Sequence, residues 1–374
     1  MFVGIANTPR DYAWGSRGDI AALLHRPASG GPEAEYWLGT HPGSPSVLVG
    51  EPGRTLADVA SLPFIMKVLA AETPVSLQAH PSSAQAVEGF ARENAAGIPL
   101  SASNRNYKDD RHKPELIYAL SDRFEALCGF RTVAASREAI ARFGDGAPIV
   151  DFLARLTSDA ALPDVFSWLL GGGADVSALL AHVVAVAPSV DSIEAATVVS
   201  LDGDYPGDPG ILVSLLLNRV SLRKGEVIYL PAGNIHSYLH GLGIEVLASS
   251  DNVLRGGLTP KYVDVPELRH VLDFRPLPVP FLEPVVPSSG IEVFRPDVPD
   301  FELVVVRPAG HDANQTIAHD AIALCVDAPV SITGAVSTVS LEPGDAVYVT
   351  ADEGALEFAG AGTVFLSVAQ ASLR

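Results

Sequence analysis

The 374-residue chain has few cysteines, few lysines and no long uninterrupted apolar run. Its two cysteines, Cys128 and Cys325, lie far apart, which excludes a disulfide framework or a zinc cluster of thiolates and favours a reducing compartment. The best apolar run, at residues 178–187, is interrupted by His182 and is shorter than the roughly 18 residues that indicate a membrane-spanning helix. Residues 1–14 lack the basic and apolar regions of a signal peptide. We therefore expect a soluble cytoplasmic protein.

Basic side chains are scarce, because 25 lysines and arginines stand against 44 aspartates and glutamates, for a net charge of −19. This excess argues against general binding to nucleic acid or to an anionic membrane. It still allows a small anionic substrate, since a single pocket can be locally positive. Apolar residues make up 48% of the chain and charged residues 18%, which excludes a disordered protein and supplies cores for two or three domains.

The chain divides into strand-rich and helical parts. Between residues 35 and 131, several segments have the length and composition of β-strands, and one stretch between them indicates a helix. The predicted strands are 64–70, 74–80, 115–120 and 124–130, and the predicted helix is 83–95. From residue 136 to about 199, apolar residues recur at helical spacing, which predicts three or four helices, one of them capped by Asp175. Strand patterns dominate again from residue 215.

The strand-rich second half contains an internal repeat. Residues 222–233 resemble residues 341–352 at a constant offset of 119, and each copy has the pattern strand, glycine turn, strand. A repeat of this length indicates one supersecondary unit used twice, and two such units predict two β-barrels of the jelly-roll kind. The first copy carries His236 where the second has Ala355. We therefore expect a polar site in one barrel and none in the other.

Four scattered side chains form a candidate metal-ligand set. Gln78 and His80 lie two apart on an apolar strand and so face the same side. Glu115 begins the next strand, and His236 follows the glycine turn of the repeat. Two imidazoles, a carboxylate and an amide oxygen suit zinc or a similar divalent ion with one position open. The alternative is structural, with His80 satisfied in the core and Glu115 paired with a nearby cation.

Cations are concentrated near these segments. The chain has five lysines, and Lys67, Lys113 and Lys261 lie in or beside the segments that carry the candidate ligands. Lys67 is on an apolar strand, where a lysine needs a partner, and Arg255 lies in a polar, glycine-rich run ending at Lys261. In an acidic protein, this grouping suggests an anionic substrate, although some of the cations could simply pair with nearby carboxylates.

Five long motifs closely resemble those of the type I mannose-6-phosphate isomerase family. They are residues 12–15, 35–42, 63–81, 106–115 and 249–261. They follow one another in order over nearly all of the first 275 residues.

The resemblance implies a mainly β fold with two cupin-type jelly-roll barrels and an inserted α-helical domain. The catalytic barrel would comprise residues 1–131 and 203–275, the helical insertion 132–202, and a C-terminal barrel without a metal site 276–374. It also implies a zinc-dependent isomerase that interconverts mannose 6-phosphate and fructose 6-phosphate.

The same resemblance implies roles for individual residues. One zinc ion per chain would be held by Gln78, His80, Glu115 and His236. Catalysis would involve Arg255, Lys113 and His112, and the substrate would contact Trp14, Lys67, Asp251 and Lys261. Many relatives have a lysine two residues after the His-Pro pair, where this chain has Ser83. The phosphate would therefore be left to Lys67, Lys113, Arg255 and Lys261.

Aldose–ketose isomerisation moves a proton between carbons 1 and 2 of the open sugar and needs stabilisation of an enediolate. Arg255 could supply a fixed positive charge but is too basic to be the proton acceptor. The base is left open between Lys113, His112 and a metal-bound hydroxide. Two other functions are compatible with the residues, namely an iron-dependent cupin oxygenase and a non-catalytic sugar-phosphate-binding or storage-type double barrel. We expect a small phosphosugar as the partner, no nucleic acid or membrane, and a monomer.

Overall fold

The computed structural model describes residues 1–308 and 313–370, and these residues form a mainly β structure with a helical domain. The strands are β1 (Phe2–Ala6), β2 (Glu35–Gly39), β3 (Val47–Leu48), β4 (Phe64–Ala71), β5 (Gln78–Ala79), β6 (Glu115–Ala119), β7 (Phe124–Phe130), β8 (Leu217–Leu222), β9 (Val227–Leu230), β10 (His236–Ala248), β11 (Leu254–Arg255), β12 (Val285–Ser288), β13 (Ile291–Phe294), β14 (Glu302–Val306), β15 (Ala313–Thr316), β16 (Ala321–Val326), β17 (Val330–Thr333), β18 (Thr338–Leu341), β19 (Ala346–Val349), β20 (Ala355–Gly360) and β21 (Thr363–Val368). The α-helices are α1 (Asp19–Leu23), α2 (Ser83–Ala95), α3 (Val133–Ala141), α4 (Ala147–Arg155), α5 (Leu162–Gly171), α6 (Ala174–Val186), α7 (Ile193–Asp204), α8 (Gly210–Ser214) and α9 (Val265–Val271). Short 3₁₀ turns lie at Leu56–Asp58, Asp159–Ala161, Ala187–Ser189 and Ala351–Glu353.

The first barrel consists of two sheets that share the long strand β10. Sheet 1 has the order β2-β4-β10-β6-β9, and sheet 2 has the order β11-β5-β10-β7-β8. Alternate residues of β4 face opposite ways. Met66 and Val68 pack outward in one apolar cluster, whereas Lys67 and Leu69 line a cavity inside the barrel. Every second side chain of these strands therefore points into the barrel, and the candidate ligands lie on this inner face.

The second barrel packs against the outer face of sheet 1. Sheet 3 has the order β12-β13-β14-β21-β16-β19-β1-β3, and sheet 4 has the order β15-β20-β17-β18. A single apolar cluster joins Met66 and Tyr118 of sheet 1 to Phe365 and Leu324 of sheet 3. The predicted division at residue 276 stays a prediction, but sheet 3 also contains β1 and β3 from the beginning of the chain.

The helical domain covers the outer face of sheet 2. Its largest buried side chains include Phe143, Phe152 and Phe166, and they share a core with Leu77 and Leu127 of the barrel. Five helices, α3 to α7, occupy the region where three or four were predicted. The number of helices is higher because α4 and α5 each have a proline in the first turn. A proline cannot continue a preceding helix, so a new helix begins at each of these points.

Other sequence predictions were confirmed with local differences. The helix 83–95 and the strand 124–130 have the predicted bounds. The segment 74–80 forms a strand only at 78–79. The backbone N–H of Leu77 bonds instead to Gly257, outside any strand ladder. Asp175 is not the cap of α6, which begins after Gly173, and its carboxylate accepts a hydrogen bond from Trp168 at 2.8 Å.

The internal repeat was also confirmed. Strands β8, β9 and β10 correspond to β18, β19 and β20 at the predicted offset, and Ala355 begins β20 as His236 begins β10. The core of the second barrel is apolar at the described residues of its sheets, with Cys325 buried among valines and leucines.

No single helix within residues 1–308 and 313–370 is long and apolar enough to cross a membrane. The segments 159–171 and 174–189 pass that test only together, and they meet at 90° in the core of the helical domain.

Candidate metal centre and substrate pocket

Sheet pairing places three candidate residues in one row across sheet 2. In the register of the strands, Gln78 of β5 lies opposite His236 of β10 on one side and opposite Arg255 of β11 on the other. Residues directly opposite each other in antiparallel strands have their side chains on the same face. An amide, an imidazole and a guanidinium therefore stand side by side on this sheet.

His80 and Glu115 complete a compact cluster beside this row. The Nε2 atoms of His80 and His236 each lie 3.3 Å from a different oxygen of Glu115, and all three side chains are at most 2% exposed. Each residue offers one ligand atom within 4.8 Å of the others. His80 Nε2, His236 Nε2 and Glu115 Oε2 are nevertheless buried without a hydrogen-bond partner. Buried polar atoms left in this way are costly, which is the signature of a site built for an ion.

The hydrogen bonds of the two imidazoles leave both Nε2 atoms free to act as ligands. His80 Nδ1 lies 2.6 Å from the carbonyl oxygen of Asn252, and His236 Nδ1 lies 3.1 Å from that of Asn234. Because a carbonyl oxygen only accepts, the proton of each neutral ring is on Nδ1 and the lone pair on Nε2 points toward Glu115. This arrangement, with a carbonyl behind the ring, is typical of metal-binding histidines.

The protonation states of the cluster also suit a divalent cation. Burial, helped by the nearby Lys113 ammonium, lowers the pKa of His80 to about 4, so this imidazole is neutral at pH 7. Burial alone would raise the pKa of Glu115, but Lys113 and the two histidines hold it well below its usual range. Two imidazoles with free Nε2 atoms, a carboxylate and the amide of Gln78 match the ligands that zinc accepts in open catalytic sites.

The cluster lies at the wall of a cavity of about 500 Å³ inside the first barrel. Gln78, Glu115 and Arg255 line this cavity, together with Trp14, whose ring stacks on Tyr12 at 5.8 Å. A cavity of this size holds a small-molecule ligand.

Two cations in the cavity have no carboxylate partner. Within residues 1–308 and 313–370, neither Arg255 nor Lys261 forms an ion pair with a carboxylate. Most of the other arginines do form such a pair. Burial lowers the pKa of both groups, and for Lys261 the repulsion from Arg255 adds to it. Two unpaired, mutually repelling cations in a protein of net charge −19 indicate a place for an anion.

Lys67 and Lys113, the other predicted anion-binding cations, are already paired. Lys113 Nζ lies 2.8 Å from Glu115, and Lys67 Nζ lies 3.0 Å from Glu245 and 3.4 Å from Glu35. Glu245 and Glu35 raise the pKa of Lys67 against the opposing effect of burial. Both lysines line the cavity, but their charges stabilise carboxylates within the barrel.

Asp251 lines the cavity and is held from behind by His41. His41 Nδ1 accepts a hydrogen bond from the N–H of Gly43, so its proton is on Nε2, which lies 3.4 Å from the Asp251 carboxylate.

His112 is not brought to the cavity. Its Nε2 lies 2.9 Å from Asp300 of the second barrel, and it lines a separate cleft between the two barrels. In an extended segment, alternate side chains point in opposite directions, so Lys113 and Glu115 face inward and His112 faces outward.

Sequence reasoning missed two titratable groups in the cavity, Tyr238 and Glu245. Both are buried, and burial raises the pKa of each, for Glu245 against the effect of Lys67. Tyr238 could have been found by period-two spacing from His236. Glu245 could not, because a β-bulge between Tyr238 and His240 reverses which alternate residues of β10 face inward.

Comparison with known proteins gives a consistent result. The family model for the catalytic domain of type I phosphomannose isomerase matches residues 2–133. Mannose-6-phosphate isomerase of Salmonella typhimurium is 35% identical, with 96% of this chain and 97% of that protein covered. The Escherichia coli enzyme is 34% identical over the same shares, and the Bos taurus enzyme is 30% identical over 92% of each chain. A crystal structure of the Salmonella enzyme with fructose 6-phosphate and zinc covers 99% of this chain and 100% of its own, with a TM-score of 0.91 and 34% identity.

Proposed function

This chain belongs to the type I mannose-6-phosphate isomerase family, and we propose that its reaction takes place in the cavity lined by Gln78, Glu115 and Arg255. It is a zinc-dependent aldose–ketose isomerase that interconverts mannose 6-phosphate and fructose 6-phosphate. One observation supports this location most directly. Three buried ligand atoms lie within 4.8 Å of one another and lack hydrogen-bond partners, beside a cavity that also contains two unpaired cations. The oxygenase and the non-catalytic alternatives are not favoured.

The zinc ion would be held by Gln78, His80, Glu115 and His236. When bound, it would supply a Lewis acid for the carbonyl and hydroxyl oxygens of the open sugar. The residues around it are prepared for this task, since both imidazoles present a free Nε2 and Lys113 keeps Glu115 ionised.

The two unpaired cations would bind different parts of the anionic substrate. Lys261 is exposed at the rim of the cavity, where it would bind the phosphate group. Arg255 lies deeper, beside Gln78, where its guanidinium would donate to the sugar oxygens on which negative charge develops. Trp14 would form an apolar wall for the sugar and Asp251 would accept from its hydroxyl groups.

Proton transfer between carbons 1 and 2 needs a base that faces the cavity. His112 does not meet this condition, and Lys113 is an ammonium that already donates to Glu115. Glu245 meets it, because it lines the cavity, and burial raises its pKa above the ordinary value of a glutamate. We therefore assign proton transfer to Glu245 and the ionisation of Glu115 to Lys113, with Lys67 holding the Glu245 carboxylate in place.

Proton exchange measured by NMR tests the role of the metal in this reaction. Mannose 6-phosphate in deuterated water should acquire deuterium at carbon 2 only when zinc is present. Full exchange by zinc-free protein would contradict the role of the metal.

Arg255→Ala should lower turnover by about a hundredfold or more, the effect of losing one donor to a developing oxyanion. Arg275→Ala, at an exposed arginine paired with Asp273, is the matched control and should leave turnover unchanged. Equal rates for the two variants would remove Arg255 from the chemistry.

We also propose that the enzyme acts as a monomer in the cytoplasm. The two cysteines, which are both free and buried, support a reducing compartment.

A further inference from the structure

Asn252 is a fully buried side chain whose amide fastens the segment that leads to Lys113 and Glu115. Its Oδ1 accepts hydrogen bonds from the backbone N–H groups of Lys108 at 2.7 Å and Asp109 at 3.2 Å. Its Nδ2 donates to the carbonyl oxygens of Arg111 at 2.7 Å and Asp109 at 2.9 Å. Both ends of the amide are therefore fully used, each for the backbone of one short segment, 108–111.

The main chain of Asn252 holds a candidate zinc ligand. Its carbonyl oxygen lies 2.6 Å from His80 Nδ1, the only hydrogen bond that this ring makes within the described residues. That contact sets the orientation of the imidazole and places the lone pair on Nε2. One residue therefore fixes the ring of His80 through its backbone and the approach to Glu115 through its side chain.

A second set of contacts keeps Asn252 in this position. The Asp109 carboxylate accepts from the Ser250 hydroxyl at 2.8 Å and from the N–H of Asp251 at 2.8 Å. The Ser250 hydroxyl also accepts from the N–H of Asn252 at 3.2 Å. Ser250 and Asp251, the two residues that precede Asn252, are both hydrogen-bonded to Asp109. Rotation of the Asn252 peptide would therefore break several hydrogen bonds together.

We propose that Asn252 is a positioning residue for the zinc centre, which acts by holding His80 and Glu115 at the separation that the ion requires. The inference rests on the proposed zinc site and extends it to a residue that touches neither the ion nor the substrate. Partners that orient metal-binding histidines affect metal affinity by roughly 10- to 100-fold. Loss of the side-chain amide leaves the backbone carbonyl of Asn252 in place. It removes the side-chain hydrogen bonds that fix the direction of that carbonyl toward His80.

Zinc affinity measured by competition with a chromophoric chelator tests the proposal. Asn252→Ala should weaken zinc binding by about 10-fold or more, and saturating zinc should restore most of the turnover. His80→Ala lacks the ligand itself, so saturating zinc should not restore its turnover. Asn7→Ala is the matched control, because the Asn7 amide also donates to two backbone carbonyls, of Trp37 and Ser44, but none of its partners is a candidate ligand. It should bind zinc as the parent protein does.

If Asn252→Ala does not fold, Asn252→Asp decides the question. This variant keeps the size of the side chain and one acceptor, loses the two donated bonds, and should also bind zinc about 10-fold more weakly. Unchanged zinc affinity in a folded Asn252 variant would overturn the proposal. Failure of the parent protein to bind zinc would instead contradict the zinc site, so the two failures are distinguishable.

Discussion

Replacing Lys67 by methionine should destabilise the protein strongly and in a pH-dependent way. Lys67 is 5% exposed, and its ammonium is shared by two carboxylates, at 3.0 Å from Glu245 and 3.4 Å from Glu35. At an effective dielectric constant of about 20, opposite charges at these distances attract by about 5 kcal/mol per pair. Desolvation offsets much of this gross attraction, but removal of one partner of a buried pair leaves the other charges uncompensated. The net loss is then about 3–5 kcal/mol.

The direction of the pH dependence follows from the carboxylates. Burial already raises the pKa of Glu245, and without the opposing effect of Lys67 it rises further above its value in the unfolded chain. A raised carboxyl pKa means that the folded state binds more protons, so the variant is favoured at low pH and loses stability as the pH rises through the new pKa. The deficit relative to the parent protein should therefore be larger at pH 8 than at pH 5.

Urea or thermal unfolding at the two pH values measures the effect. The double variant Lys67→Met, Glu245→Gln removes one positive and one negative charge together. It should recover most of the lost stability, since similar volumes and neutral groups replace the ion pair. A single variant as stable as the parent protein, or a double variant less stable than the single one, would refute the reasoning.

Two further predictions concern His80 in the ligand cluster and His112 in the cleft between the barrels. In zinc-free protein, the stability should fall by about 3 kcal/mol as the pH drops from 6.5 to 4, because the unfolded chain protonates His80 near pH 6.5 whereas the folded pKa is about 4. His80→Gln should remove most of that slope in unfolding experiments across this range, and a persistent slope would assign it to other groups. Asp300→Ala and His112→Ala should each cost about 1–3 kcal/mol and should not add in the double variant, because one contact between the barrels is lost in each case. Both should keep turnover within a few-fold of the parent, and a loss as large as that expected for Arg255→Ala would return His112 to the chemistry.

The residue types and motifs of the sequence were sufficient to predict the donor cluster. Glu115 on an otherwise apolar strand needed a partner, and the repeat distinguished His236 from Ala355. The resemblance to the family joined these separate signals into one ligand set. The structure brings His80, Glu115 and His236 together and places Gln78 beside His236.

What could not be predicted depends on contacts between segments that are remote in the sequence. No pattern in the chain reveals that Asn252 joins residues 108–111 to His80, because each hydrogen bond links segments more than 140 residues apart. The inward direction of Glu245 depends on a β-bulge, whose position is not encoded in the alternation of apolar residues. Likewise, no pattern in the sequence pairs His112 with Asp300, because the two residues are 188 positions apart.

The strand β1 has a consequence for any attempt to isolate the barrel that contains the metal centre. It pairs along its length with β19, so the opening segment of the polypeptide lies in a sheet whose other strands come mostly from residues 285–368. A fragment that stops near residue 275 would leave β1 without β19 and would uncover the apolar surface around Met66 and Tyr118. During synthesis, β1 is made long before β19, so its pairing within sheet 3 waits until β19 has emerged.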